Sequence, residues 1–429
     1  MIWTRPSVIA VVAVLAVTAP LFSQVTATAP AGNPVHRGAI DLSSAREQRV
    51  ELPGRPEWIG AAPDNGAAAI WVRVADGRLV TLRFAPGTGV TVEDVGVGVP
   101  APIVGVPLPA EAYVGNTTTA PVRFAGGVLT IDAAGRLRHV LGDGGATLGG
   151  PQPENGRVLA NGLLPDSRIV PLSFSRMIAL ADPTDDYAHG VLGDRLEPQG
   201  FVIVEAGSGE DRDEERTGNG GAPPRLEVTR HRLRTYGVME TVMPLVADVH
   251  PHPGPEVLVP VSAPGEGSRV VVAAPDGEVL AEGPPIGRGF RWRHLLAAGP
   301  VGPDGETELV AVRTPHIGGS IEYYRLRGRQ LEIVHTRPGY STHRIGDRNL
   351  ETALVADFTG DGRFELLLPA QREPALAVIS RTAEGSREVA RFELPAELTT
   401  NLAAVQLSKG RLLVVAGTAD GSLLLWSER

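Results

Sequence analysis

The chain has 429 residues, 42% of them hydrophobic and 21% charged, with a formal net charge of -9. That apolar content excludes wholesale disorder, and the acidic balance argues against nucleic acid as the main partner. The absence of Cys removes disulfides, zinc ribbons and thiol catalysis together.

Gly (52) and Pro (37) are abundant, without the Gly-X-Y period that would mean collagen. At the start, Arg5 precedes an apolar run over 7–22, followed by small residues, with Val25-Thr26-Ala27 as a cleavage site. This predicts an export signal over 1–27, or an uncleaved N-terminal anchor. Either reading places the folded part outside the cytoplasm, in the periplasm or the extracellular space. No later stretch is long and apolar enough to span a bilayer. Residues 28–45 read as a leader, with 29–34 disordered.

From about residue 46 onward the chain reads as short strands. Runs of apolar or alternating residues are broken by Gly, Pro, Asn and Asp, as in 67–84, 270–282 and 411–426. Asp76-Gly77, Asp276-Gly277 and Asp420-Gly421 each separate two such runs. Asp-Gly supplies the positive φ of a type I′ turn, so each predicts an antiparallel hairpin.

A longer period lies over these strands. An apolar segment, a polar loop, then Glu and an aliphatic run recur in LVADVHPHPGPEVLVPV (245–261), LAAGPVGPDGETELVAV (296–312) and LVADFTGDGRFELLLPA (354–370). Weaker copies occur near 59, 179 and 402, and a poorly marked one near 115–142. The resulting units start near 59, 112, 176, 244, 294, 352 and 401, each long enough for four strands, with an insertion at 206–224. Period and composition predict an all-β fold, a seven-bladed β-propeller. The last unit has room for only three strands, and REQRVELP (46–53) is similar to the fourth strand REVARFELP (387–395). Residues 46–53 are therefore expected to complete the last blade, leaving no open ring edge.

LVADFTGDGRFELLLPA resembles the repeat of FG-GAP/VCBS-type bacterial propellers, closely in this unit and loosely in some others. That resemblance implies a structural Ca²⁺ loop, in which Asp357, Thr359, Asp361, the Arg363 carbonyl and Glu365 take the ligand positions. Thr359 and Glu365 depart from the family pattern, and the loop reads equally as a turn made by Gly360 and Gly362 and capped by Asp357. Two further loops carry partial sets. Asp182, Thr184 and Asp186 lack a later carboxylate. Asp248, His250, His252 and Glu256 would suit a transition metal better, or form a rigid polar turn.

The opposite rim, where fourth strands pass to the next first strands, collects Arg, His and aromatic residues. Arg291, Trp292, Arg293 and His294 lead into the fifth unit, His316 sits in its second-to-third loop, and His343 leads into the sixth. Such a rim could hold a carboxylate or sugar, or it could be a half-buried strand. The expected function is an exported, non-catalytic scaffold binding a protein or glycan partner in the cell envelope. The alternative is a periplasmic carbohydrate-active lyase or hydrolase using the Arg/His rim. A third reading, an outer-membrane assembly or quinoprotein-like scaffold, lacks the recurring tryptophan. No nucleotide-binding or hydrolase motif is present.

Overall fold

The computed structural model describes residues 32–95, 122–141, 156–207 and 225–428. The export signal, the expected start near 112 and most of the 206–224 insertion lie outside the described residues.

Two strands precede the repeating units, β1 (Val35–Ala39) and β2 (Arg46–Glu51). The first meander is β3 (Pro56–Asp64), β4 (Ala67–Val74), β5 (Leu79–Ala85) and β6 (Gly89–Val95). The second is β7 (Val122–Phe124), β8 (Gly127–Ile131), β9 (Leu137–Leu141) and β10 (Arg157–Ala160). The third is β11 (Val170–Ser173), β12 (Arg176–Thr184), β13 (Glu197–Ala206) and β14 (Leu226–Arg232). In the fourth, β15 (Val238–Met239) and β16 (Leu245–Ala247) both pair with β17 (Glu256–Ala263), followed by β18 (Gly267–Ala273) and β19 (Val279–Glu282). The fifth is β20 (Arg293–Gly299), β21 (Glu308–Arg313), β22 (Ser320–Arg327) and β23 (Gln330–Pro338). A single parallel bridge, Glu282 to Gln330, joins these two meanders at their outer strands. The sixth is β24 (Leu354–Asp357), β25 (Glu365–Pro369), β26 (Ala375–Thr382) and β27 (Gly385–Glu393). The seventh is β28 (Ala403–Gln406), β29 (Leu412–Gly417) and β30 (Ser422–Ser427), with β2 as its outer strand.

β2 pairs antiparallel with β30 in unbroken register, from Arg46 opposite Ser427 to Glu51 opposite Ser422. The three hairpins form, but not through the expected type I′ turns: only Gly77, Gly277 and Gly421 have positive φ (88°, 87° and 88°), while Asp76, Asp276 and Asp420 do not, and each glycine N–H donates three residues back, as in a type I turn closed by a left-handed glycine.

Burial explains how the sheets stack. Each apolar cluster lies between successive meanders, because a central sheet has two faces to cover. Ile131 and Leu129 of the second pack with Ala179 and Val202 of the third. Phe201, Val259 and Tyr324 join the third, fourth and fifth. Tyr323 and Leu366 join the fifth and sixth, Leu376 and Trp426 the sixth and seventh, and Leu425 and Ile70 the seventh and first. This all-β arrangement of face-packed four-stranded sheets is compatible with a β-propeller.

The structure corrects three boundaries. The segment expected as a leader is built in: β1 lies parallel to β24, the Asn33 side-chain amide exchanges bonds of 2.8 and 3.0 Å with the Ala298 backbone, and Ile40 N–H donates to Asp357 O. The third unit begins one strand before 176, because its inner strand is split: Leu163 bridges to Ala181, and only Val170–Ser173 pairs further along. Asp182 therefore sits in the second strand, not in a first-to-second loop. The fourth unit begins at β15 rather than near 244, its inner strand being interrupted between Met239 and Leu245.

Candidate functional site

The end of the sheets where first strands begin and second strands finish is here called the upper edge. Trp292 immediately precedes β20 there. Its indole N–H donates to the Glu240 carbonyl at 2.9 Å, which fixes the ring across the meander boundary. The ring stacks on His294 (centroids 5.3 Å, 9° between planes) and on His316 (5.9 Å, 15°), and meets His343 edge-on at 4.7 Å. Four of the six rim residues expected from the sequence thus come together.

Their hydrogen bonds fix the tautomers. His343 Nε2 faces the Asp347 carbonyl at 2.7 Å, so it carries the proton. His343 Nδ1 then accepts from His316 Nε2–H at 2.8 Å. His294 Nε2–H donates to Leu350 O at 3.0 Å, and its Nδ1 accepts from the Thr342 hydroxyl at 2.8 Å. Burial is the main cause that lowers all three imidazoles, His294 to about 3 and His316 and His343 to about 4. They are neutral at neutral pH. The space beside Trp292 and His294 measures about 10 Å³, room for no more than a water molecule.

The two arginines do not join this cluster. Arg293 is 2% exposed and donates through Nε to Glu322 at 2.7 Å and through Nη1 to Ser268 O. Arg291 donates to the adjacent Phe290 carbonyl at 3.0 Å. The residues expected to form one polar rim therefore separate into a closed aromatic–imidazole stack and a buried ion pair.

The same edge holds a second cluster of polar groups. His189 Nδ1 lies 2.6 Å from the fully buried Glu240 carboxylate, whose other oxygen accepts from Ser262 Oγ–H. Tyr187 and Phe290 pack around this pair, with ring centroids 5.1 Å apart. Burial, then the charges of Glu240, Asp194 and Asp166, push neighbouring Glu197 up to about 10, so it stays protonated. Further in, Arg168 stacks over Trp58 at 4.7 Å and pairs with Glu351. Arg348 pairs with Asp166 and, at 2.6 Å, with Asp194. These ion pairs tie the approach to the third meander to the approach to the sixth. The partners are distant in sequence, so no local pattern marks them.

Three large apolar side chains stand out on this edge: Phe290 is 53% exposed, Ile317 66% and Ile345 73%. Phe290 has φ 48°, a left-handed conformation unusual for an aromatic residue. Arg288 and Arg291 neighbour Phe290 in the chain, and Arg344, paired with Glu397 at 2.7 Å, precedes Ile345.

At the opposite edge, the 357–365 loop is organised by its own carboxylates. Asp357 accepts from the backbone N–H groups of Gly360, Asp361 and Gly362 at 2.7–3.2 Å. Asp361 accepts from Arg363 N–H at 3.0 Å and from its guanidinium. Glu365 accepts from Phe358 N–H at 2.9 Å, and burial raises its carboxyl to about 7. Glu256 repeats that role for Val249 and His250 N–H, while His252 N–H donates to His250 Nδ1. Asp182 pairs with Arg230. Among the described residues no group of three His, Asp or Glu converges as a metal cage.

No protein-family model matches the chain, and no curated protein matches it. Among solved structures, BamB from Moraxella catarrhalis is similar over 89% of this chain and 99% of its own, at 10% identity and a TM-score of 0.39.

Proposed function

We propose that the chain is an exported, non-catalytic, seven-bladed β-propeller scaffold, closed by β2, that binds a protein partner of the cell envelope through its upper edge. The observation that carries this reading is the exposure of Phe290, Ile317 and Ile345 around imidazoles that are neutral and hydrogen-bonded inward. Aromatic and aliphatic side chains with arginines beside them have the composition of interface cores. Of the groups expected to serve a lyase or hydrolase, His294, His343 and Arg293 are engaged by Leu350, Asp347 and Glu322, which leaves Arg291 as the partly exposed cation of the set.

The triple variant Phe290→Asp, Ile317→Asp, Ile345→Asp tests the scaffold. It should melt with the wild type, since all three side chains are solvent-exposed. In envelope extracts of the native host, crosslinking followed by mass spectrometry should lose the partner that the wild-type chain captures. Capture of the same partner by both proteins would refute the assignment of this surface.

The Ca²⁺ loop is a second part of the proposal. Asp357, Thr359, Asp361, the Arg363 carbonyl and Glu365 supply the hard oxygen donors that Ca²⁺ takes. The ion would compete with Arg363 for Asp361 and with backbone amides for Asp357, so binding is expected to be weak. Chelator should lower the melting temperature of the wild type, and Asp361→Ala should abolish that sensitivity. A wild-type melting curve unmoved by chelator or added Ca²⁺ would eliminate the site.

A further inference from the structure

Between the third and fourth meanders, at the upper edge, lies a cavity of about 330 Å³ whose lining includes Asp186, Tyr187, Gln199, Arg232, Tyr236 and Ser262. Tyr236 is 66% exposed, yet its backbone is held firmly. The buried Arg269 guanidinium donates to Thr235 Oγ1 at 2.7 Å and to the Tyr236 carbonyl at 2.8 Å. Arg234 N–H donates to Gly277 O at 2.9 Å. Gly237, at φ 117°, packs so closely that a Cβ there would lie 2.4 Å from Ser262 O. The backbone that carries an exposed aromatic ring is thus fixed beside a polar cavity by a left-handed glycine and a buried guanidinium. Packing does not require this arrangement.

We propose that this cavity is a carbohydrate site that takes a neutral pyranose unit, stacked on Tyr236. The argument is chemical. A rigid aromatic face suits the C–H face of a sugar ring, and the walls present both donors and acceptors at the ring's edge. The Tyr187 phenol, 3% exposed and accepting from Phe290 N–H at 3.0 Å, belongs to the floor of the cavity, while Gln199 and Arg232 stand on its wall. Asp186 is exposed and forms no ion pair with a described cation, leaving its carboxylate for sugar hydroxyls. Anionic sugars are disfavoured: Asp186 would repel them, and Arg232 is already engaged by Gln199 and Asp182. A volume of about 330 Å³ suits a mono- or disaccharide better than a folded partner. The site adjoins the proposed protein-binding surface at one point, where Phe290 packs on Tyr187 with ring centroids 5.1 Å apart and donates its N–H to the phenol oxygen at 3.0 Å.

The test is a glycan array carrying neutral, uronate and sulfated oligosaccharides, followed by calorimetric titration of the best-bound neutral oligosaccharide. The full chain should bind neutral members. Tyr236→Ala should weaken binding at least tenfold with an unchanged melting temperature, and Tyr236→Trp should retain it. An Ile317→Asp, Ile345→Asp double variant, which leaves Phe290 and its contact with Tyr187 intact, should bind the oligosaccharide as the wild type does, so this reading and the protein-binding reading fail independently. The proposal is overturned if no neutral oligosaccharide binds, if only anionic ones do, if Tyr236→Ala binds equally well, or if Tyr236→Ala removes a protein partner instead.

Discussion

Replacing Glu322 with Ala should destabilise the fold by about 3–5 kcal/mol, the range for removing one partner of a buried ion pair. Arg293 and Glu322 are 2% and 1% exposed, and Nε meets Oε2 at 2.7 Å. Tyr324 O–H also donates to Glu322, and Arg313 approaches its other oxygen at 3.4 Å. Without the carboxylate, the Arg293 guanidinium remains in the interior facing Ser268 O and the Tyr324 ring region, where water cannot solvate it. The pair itself contributes little net stability, because taking both charges out of water offsets their attraction. The double variant Arg293→Met, Glu322→Leu should therefore recover most of the loss. Urea denaturation measures both. A single variant within 1 kcal/mol of the wild type would mean that Arg293 is solvated, and would restore it as a group able to meet a ligand.

That outcome bears on what could be read from the sequence. The Arg-Trp-Arg-His run suggested either a ligand rim or a strand with one wet face. In β20 every residue is buried, because an inner strand has a neighbouring sheet on each side and no wet face at all. Alternation signals a half-buried strand and is silent about one buried on both faces. The polar residues there are consequently paired inward, His294 with Thr342 and Arg293 with Glu322. Local signals read well elsewhere. Asp-Gly turns at 76–77, 276–277 and 420–421 mark hairpins because their φ requirement is intrinsic. The likeness of 46–53 to 387–395 found the partner of β30, because outer strands share one pattern of exposure.

The misreadings share a physical origin. The third meander was placed one strand late because its inner strand is short and interrupted, while the longer apolar run at 176–184 is its second strand. The ion pairs of Arg168 with Glu351 and of Arg348 with Asp166 join residues about 180 positions apart, and no local pattern encodes them. The aromatic–imidazole stack was legible as a set of residues, but not as a closed one. Which nitrogen faces which carbonyl depends on Leu350 and Asp347, whose backbone positions only the fold determines.

The proposed closed propeller requires β2 to complete the last sheet. If β2 were absent from its place, the outer edge of β30 would expose unpaired backbone groups beside Leu423, Leu424, Leu425 and Trp426, an edge prone to pair with other chains. Glu51 and Ser422 stand directly opposite in that pairing, so their Cα atoms fall within disulfide range. The chain contains no Cys, so a Glu51→Cys, Ser422→Cys pair can bond only with itself or with another molecule. Mild oxidation of the monomeric double variant should give an intramolecular disulfide in nearly every molecule, seen as a gel shift reversed by reductant. Because the bond ties positions far apart in the chain, it should also raise stability by roughly 2–4 kcal/mol. Free thiols that persist in the folded monomer, or disulfides that form only between molecules, would show that β2 does not complete the last sheet.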